Sequence, residues 1–438
     1  MPPSGRAPTR PCADTAPARR TRAGERPLTC SGLGRAEPEG VSVDFTIPSE
    51  LDALRASFAT FLDREVRPLE DQLAEALRRE PVGPDVQAAA NSVRRRSCEA
   101  GFYAAHMPEQ VGGWDLSALG MTLLVEDAAR SGLALAGYAL GPPNPHAPTP
   151  LLLELPEHLR DRYVAPLMRG EATMCFALTE PEAGSDAQAI TTRARREGDE
   201  WVLDGMKHYI TNGEDADLAI VFAVTDPDKR AQGGITALLV PREAYAVGAT
   251  QLTMADSHPV ELFFDGSRVP SDHVVGEVGQ GFYAAMRFLN AGRAYIGAQC
   301  LGMAEWCVDQ AAAHARTREA FGQPLASFQG VTFPLAESKA EIEAMRWLTY
   351  HLAWSCDEVA AERDPGDGVP LDSSVVKWFN TEYAHRIADR CLQVFGGQGL
   401  LRDGPIERVL RHLRMLRVVE GASEVQLMVI ARALTGGR

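Results

Sequence analysis

MCFALTEPEAGSD, Met174 to Asp186, marks the point at which the rhythm of this chain changes. Its first residues are apolar, and Pro181, Gly184, Ser185 and Asp186 then supply the residues that end a strand and make a tight connection. Upstream, apolar residues recur at helical spacing. Ser49-Glu50-Leu51-Asp52 reads as a capping box, followed by Leu54, Phe58, Phe61, Leu62, Val66 and Leu69. Further helices are expected over Pro84 to Ala105, Leu116 to Ser131 and Pro156 to Arg169, separated by Pro108, Gly112, Gly113 and the loop GPPNPHAPTP. Downstream, MCFAL, AITTRAR, EWVLDG, HYIT, LAIVFAV, ITALLV and VELFF are short, rich in β-branched and aromatic residues, and bounded by turn residues. After Gly281 helical spacing returns, over Phe282 to Ala315, Pro334 to Glu362, Ser373 to Val394 and Ser423 to Leu434. The expected class is therefore α+β: a helical domain over residues 43–170, an antiparallel β domain over 171–280, and a helical domain of four-helix-bundle type over 281–438.

Composition narrows the function. The 438 residues can bury a large core, and the formal net charge of -15 argues against nucleic acid, whose phosphates need clustered Lys and Arg. Eight cysteines, Cys12, Cys30, Cys98, Cys175, Cys300, Cys307, Cys356 and Cys391, form no C-x-x-C pair and no zinc-like spacing. They read as reduced thiols of a cytoplasmic enzyme, with no metal site. No apolar run approaches a membrane span, so a soluble chain is expected. Residues 1–42 are rich in Pro, Arg, Ala and Gly without apolar periodicity, and read as a disordered tail rather than an organelle signal.

Five stretches could carry chemistry, and each has a plain structural reading beside it. CFALTEPEAGSDAQA is either a β-connection or a ligand loop. KHYITNG, Lys207 to Gly213, sets Tyr209 and Thr211 two apart, on one strand face by alternation, where a ring and a hydroxyl could meet a flat cofactor. RTREAFGQPLASFQ places Arg318, Phe321 and Gln329 around a Gly-Pro turn: an interhelical loop, or an anion site with an aromatic neighbour. LQVFGGQGL holds Gly396 and Gly397 at a helix end, a glycine cap or a close approach for a pyrophosphate. It lacks the spacing of a dinucleotide fingerprint. VVEGASEVQ, Val418 to Gln426, contains Glu420, whose plain structural reading is a helix-capping acid. Ser423-Glu424-Val425-Gln426 already reads as a capping box, which leaves Glu420 in the loop ahead of it.

In this order and spacing, ALTEPEAGSD, KHYITNG, RTREAFG, QVFGGQGL and VVEGASEVQ make the chain similar to the acyl-CoA dehydrogenase family from about Phe45 to Leu434. The resemblance implies a FAD enzyme that turns an acyl-CoA thioester into the trans-2-enoyl thioester. Phe176, Leu178, Thr179, Tyr209 and Thr211 would contact the flavin. Arg318, Phe321, Gln329, Gln393, Gly396 and Gly397 would hold the adenosine and pyrophosphate of a FAD shared with a neighbouring subunit, making a homodimer or homotetramer. Ser185, Asn290, Arg293 and Gly421 would serve the substrate, with Arg293 near its phosphate-bearing end, and a backbone N–H at the base position with a flavin ribityl hydroxyl would meet the growing enolate. Glu420 would be the base, with flavin N5 accepting the β-hydrogen as hydride and an electron-transfer flavoprotein as the onward acceptor. Val418 and Val419 would desolvate Glu420 and raise its pKa.

The chain departs from the family pattern at several positions. Val419 and Ala422 stand where an aromatic residue and Thr are usual, Asn290 where an acid is frequent, and Tyr209 where Trp or Phe is common. Gly292 closes the route by which some relatives carry the base beside Arg293, and Pro241 to His258 is irregular. Rival readings are an oxidase or carrier-protein dehydrogenase of the same fold, and a non-catalytic scaffold.

Overall fold

The computed structural model describes residues 46–436. The tail expected over residues 1–42 lies outside them, as do Cys12 and Cys30. The first long helices are α1 (Ser49–Phe61), α2 (Pro84–Ala100) and α3 (Ala118–Arg130), joined by shorter helical turns. The box expected at Ser49 does not form. Pro48 occupies the cap position, and its carbonyl takes the Leu51 and Asp52 N–H groups directly. Helix α2 stops at Ala100 rather than Ala105 because Gly101 turns to φ +89°, where a Cβ would stand 2.1 Å from the Trp114 ring.

The sheet is mixed, which corrects the purely antiparallel expectation. Its strands are β1 (Met174–Ala177), β2 (Arg193–Glu197), β3 (Glu200–Ile210), β4 (Leu218–Val224), β5 (Ile235–Pro241), β6 (Ala246–Thr250) and β7 (Val260–Pro270). The order is β1-β4-β2-β3-β7-β6, with β5 on β4. Strand β4 runs parallel to β1 and touches β2 in parallel at Arg193 and Val224, whereas β2/β3, β3/β7, β4/β5 and β6/β7 are antiparallel. EWVLDG and the first three residues of HYIT belong to one strand, β3. AITTRAR is only partly strand, because the Asp186 carboxylate accepts the Gln188 N–H and winds Ala187–Ala189 into a helical turn. Strand β6, AVGAT, carries little strand signal because Ala and Gly fill three of its positions, and it lies in the irregular segment.

Alternation along β4 explains why LAIVFAV is apolar throughout. Leu218, Ile220, Phe222 and Val224 face the helices of the first segment, and Ala219, Val221 and Ala223 face the interior of the β domain. The sheet leads into α4 (Gly281–Thr317), whose first residue sits so close to β5 that a Cβ on Gly281 would lie 2.4 Å from the Ala237 nitrogen. A hairpin of β8 (Glu319–Ala320) and β9 (Gln323–Pro324) follows, then α5 (Gln329–Ala360), α6 (Val369–Phe395), α7 (Glu407–Leu416) and α8 (Ser423–Thr435). Helix α3 packs on α4 and α5, so the first and last segments share a helical layer.

Candidate functional site

Two of the motifs meet at the edge of the sheet. Leaving β1, Phe176 stacks on Phe288 of α4 with centroids 4.9 Å apart, and Leu178 is buried. Thr179 accepts the His208 N–H at 2.9 Å, which locks the TEPEAGSD loop to β3. Beneath that contact Lys207, fully buried, donates to Glu180 at 2.7 Å and to the Leu178 carbonyl at 3.1 Å. Glu180 also accepts from the Thr191 and Thr192 N–H groups at 2.6 and 3.0 Å. Burial pulls Lys207 down to about 8, against the opposing pull of Glu180. The sequence carries little sign of this pair, since Glu180 lies in a polar loop and Lys207 in a strand, 27 residues further on.

Tyr209 is 60% exposed at φ +57°, in a register shift between Lys207 and Ile210. Thr211 lies beyond the strand end. The two therefore do not share a face by strand alternation as expected, because the bulge resets the pleat. Both side chains are nevertheless exposed, as is Ser185 on the loop after β1.

The base loop is held from two helices. Glu420 and Gly421 are consecutive left-handed residues, φ +54° and +94°, between α7 and α8. Such a conformation is costly for Glu and persists only under outside constraint. Lys377 of α6, fully buried, donates to the Gly421 carbonyl at 2.7 Å, and Gln426 donates to the same oxygen at 3.0 Å. Arg293 of α4 donates to the Glu420 carbonyl at 3.4 Å and to Asn290 at 2.9 Å. It is 8% exposed and turned into the loop, with Asn290 as its hydrogen-bond partner. The capping box at Ser423 is also absent. Ala422 takes the cap position, Ser423 donates to Glu382 at 2.6 Å, and Gln426 turns back to Gly421. Glu420 does not cap the helix either.

The Glu420 carboxylate makes no hydrogen bond within the described residues and points at Gly292, whose Cβ, were there one, would stand 3.8 Å from Oε2. The Gly421 N–H likewise donates to no acceptor among them. Burial of the carboxyl pushes Glu420 up to about 7, opposed by the charges of Arg293 and Lys377. The neighbouring valines are not the cause expected, since Val418 and Val419 are exposed. Burial lowers Lys377 to about 8, with Cys300 and Glu420 favouring its charge.

The remaining expected residues gather elsewhere. Arg318, Phe321, Gln329, Gln393, Gly396 and Gly397 are all exposed, Phe321 at 96%. His314 near the end of α4 stacks on Phe395 at 4.4 Å, bringing the Arg318–Phe321 turn beside the glycine turn. Around Gly396 and Gly397 a Cβ would meet nothing within 4 Å, so their backbone is open to a ligand. From Phe288 to Arg318, however, α4 rises by roughly 45 Å. That exceeds the reach of one FAD. The open polar surface fits an adenosine and pyrophosphate, and the exposed Tyr209 with Thr179 and Thr211 fits a flavin ring.

Three family models match in order: the acyl-CoA dehydrogenase N-terminal domain over 48–171, the middle domain over 175–266 and the C-terminal domain over 279–435. A 3-(aryl)acrylate reductase of Clostridium sporogenes is 35% identical over 362 residues, 81% of this chain and 94% of the relative. A probable acyl-CoA dehydrogenase, FadE25 of Mycobacterium tuberculosis, is 34% identical over 395 residues, 89% and 96% of the two chains. The structure of butyryl-CoA dehydrogenase from Megasphaera elsdenii superimposes with a TM-score of 0.76 at 29% identity, over 90% of this chain and 100% of the other.

Proposed function

The chain belongs to the acyl-CoA dehydrogenase family, and from that premise we propose that it dehydrogenates an acyl-CoA thioester across Cα and Cβ, with Glu420 as the base. The observation that carries this reading is the unpaired Glu420 carboxyl, raised to about 7, beside the unpaired Gly421 N–H. A base near working pH takes the α-proton, and the N–H donates to the thioester oxygen as negative charge grows there. Arg293 and Lys377 hold the two carbonyls of this strained loop, so base and donor need no rearrangement during the reaction.

FAD is the cofactor, and when bound it supplies the acceptor for the β-hydrogen. Phe176, Leu178, Thr179, Tyr209 and Thr211 would hold its flavin end. Arg318, Phe321, Gln329, Gln393, Gly396 and Gly397 of a second copy would hold its adenosine end, a reading supported by the length of α4. A homodimer or homotetramer follows. Ser185 would contact the acyl-CoA, an electron-transfer flavoprotein would take the electrons, and the setting would be cytoplasmic fatty acid metabolism. Among the described residues no helix is long and apolar enough to cross a membrane.

Glu420 can return a proton as well as take one, so the electron partner sets the direction; the Clostridium sporogenes relative bears a reductase name. Anaerobic titration of the FAD-loaded protein with a panel of acyl-CoAs tests the proposal. Flavin bleaching with at least one thioester, slowed at least about a thousandfold in Glu420→Gln, is expected. Equal rates in the two proteins would remove Glu420 from the role.

A further inference from the structure

Tyr209 points outward in a backbone conformation that its own residue type resists. Between Lys207, paired with Leu262, and Ile210, paired with Val260, β3 places two residues, His208 and Tyr209, opposite the single Glu261 of β7. Tyr209 takes φ +57° there, which is costly for a bulky side chain and persists only where neighbours enforce it. Its hydroxyl makes no hydrogen bond among the described residues, so the tyrosine does not secure itself. Asn212, also left-handed at φ +63°, differs: its amide donates to the Met174 carbonyl at 2.9 Å, and Asn tolerates this conformation.

The constraint on Tyr209 comes from His208. Its N–H donates to the Thr179 carbonyl at 2.9 Å, and its imidazole stands between two side chains, with Nε2 at 2.9 Å from the Gln251 amide nitrogen and Nδ1 at 3.4 Å from Glu261 Oε1. The same ring meets the Tyr209 ring edge to face, with centroids 4.0 Å apart and planes at 89°. Neither holder is loose. Glu261 lies on β7, and Gln251 closes the loop between β6 and β7 by donating its N–H to the Pro259 carbonyl at 2.8 Å. Arg411 of α7 grips that loop at the Met254 carbonyl, 2.7 Å, and at Asp256, 2.9 Å. One imidazole thus ties the bulge to β7 and to a clamped loop, while Tyr209 stays 60% exposed. We propose that His208 is a positioning residue for the cofactor, holding Tyr209 at the angle from which its phenol ring lies against the flavin. This rests on the placement of the flavin given above. A histidine that merely steadied β3 would do so whatever residue followed it; a positioning residue acts only through the Tyr209 ring.

The test compares wild type, His208→Leu, Tyr209→Leu and the double variant, each as the FAD-loaded full chain. Dilution followed by flavin fluorescence reads both the affinity for FAD and the brightness of the bound flavin. No thioester is present, so the result does not depend on dehydrogenation. Tyr209→Leu should weaken FAD binding about tenfold, the upper end of what an aromatic stack contributes, and should brighten the bound flavin by removing a quenching phenol. His208→Leu should do both to a similar degree. The double variant should be no worse than Tyr209→Leu alone, an about tenfold rather than an about hundredfold loss. Losses that multiply overturn the proposal, because His208 would then act without Tyr209, and so does a His208→Leu protein that holds FAD as the wild type does. If Tyr209→Leu changes neither affinity nor brightness, the flavin does not lie on Tyr209, and the proposal falls together with that contact. Should His208→Leu fail to fold, Gln251→Leu decides the matter by removing one holder from outside the strand. Its loss of FAD affinity, about threefold for one hydrogen bond, should vanish in the Tyr209→Leu background. A loss that persists there, or no loss at all, overturns the assignment.

Discussion

At the residue scale, Glu420 carries the consequences that are easiest to measure. With its carboxyl raised to about 7, the rate of flavin reduction should climb as pH rises through that value, because the base must be ionised. Stability should move the other way. The folded chain keeps a proton on Glu420 that the unfolded chain, with the ordinary value of 4.5, releases; the contribution is therefore full below about 4.5 and lost as pH rises through about 7. Thermal melts of wild type and Glu420→Gln at pH 5 and pH 8 should differ more at pH 8, in favour of Gln. Lys377 is the second residue to test. Its charge favours the ionised Glu420 and its ammonium pins the Gly421 carbonyl, so Lys377→Met should lower the rate and move the midpoint of the pH profile upward. A fall in rate with an unmoved midpoint would show that only the anchoring matters. Glu420 was legible because a lone acid in a loop, close to glycine and outside any capping pattern, has few structural duties. Lys377 was not, since a lysine in a helix reads as solvated until its burial is seen.

At the scale of elements, the Glu180–Lys207 pair decides whether the loop after β1 and the bulged end of β3 hold together. Removing one partner of a buried pair strands the other, so Lys207→Met should cost about 3 kcal/mol, measured by urea unfolding, with weakened FAD retention. Glu180 keeps its bonds to Thr191 and Thr192, which argues against total loss of the loop. Strand positions were readable from alternation and turn residues, but the bulge that turns Tyr209 outward was not. A shift of register depends on what β7 presents opposite Lys207 and Ile210, and no local pattern in KHYITNG encodes that. Both capping boxes failed for a related reason. Pro48 and Ala422 took the cap positions, and Ser423 found a better partner in Glu382, more than forty residues earlier in the chain.

Across the whole molecule, the length of α4 separates the two ends of the proposed cofactor site. The Phe321 side chain, at 96% exposure on a turn with φ +53°, is the residue that the proposed shared site would seat against a partner surface. Phe321→Ala should weaken FAD retention by about 2 kcal/mol, and gel filtration of the purified variant should show colourless protein with a larger share of the smaller species. An unchanged yellow oligomer would separate this turn from the cofactor. Within one chain, the first and last segments are joined by Arg346 of α5, which bonds Glu126 of α3 at 2.5 Å and also pairs with Glu305 of α4, while Tyr350 donates to Glu126 at 2.6 Å. Arg346→Met would leave the buried Glu126 without its cation and Glu305 with only the longer contacts to Arg130 at 3.7 Å and Lys339 at 4.0 Å, and a loss of about 3 kcal/mol in the same unfolding assay is expected.

By itself the sequence determined the succession of helices, strands and helices, because periodicity and turn residues are local properties. It also singled out five stretches as candidates for chemistry, because their residue types and order are specific in combination. Only the tertiary structure decided how those stretches are used. It set Arg293 as a clamp on the Glu420 carbonyl and exposed the valines credited with desolvating the base. Burial and pairing are set by segments far apart in the chain, and they govern the charge state of every ionisable group involved.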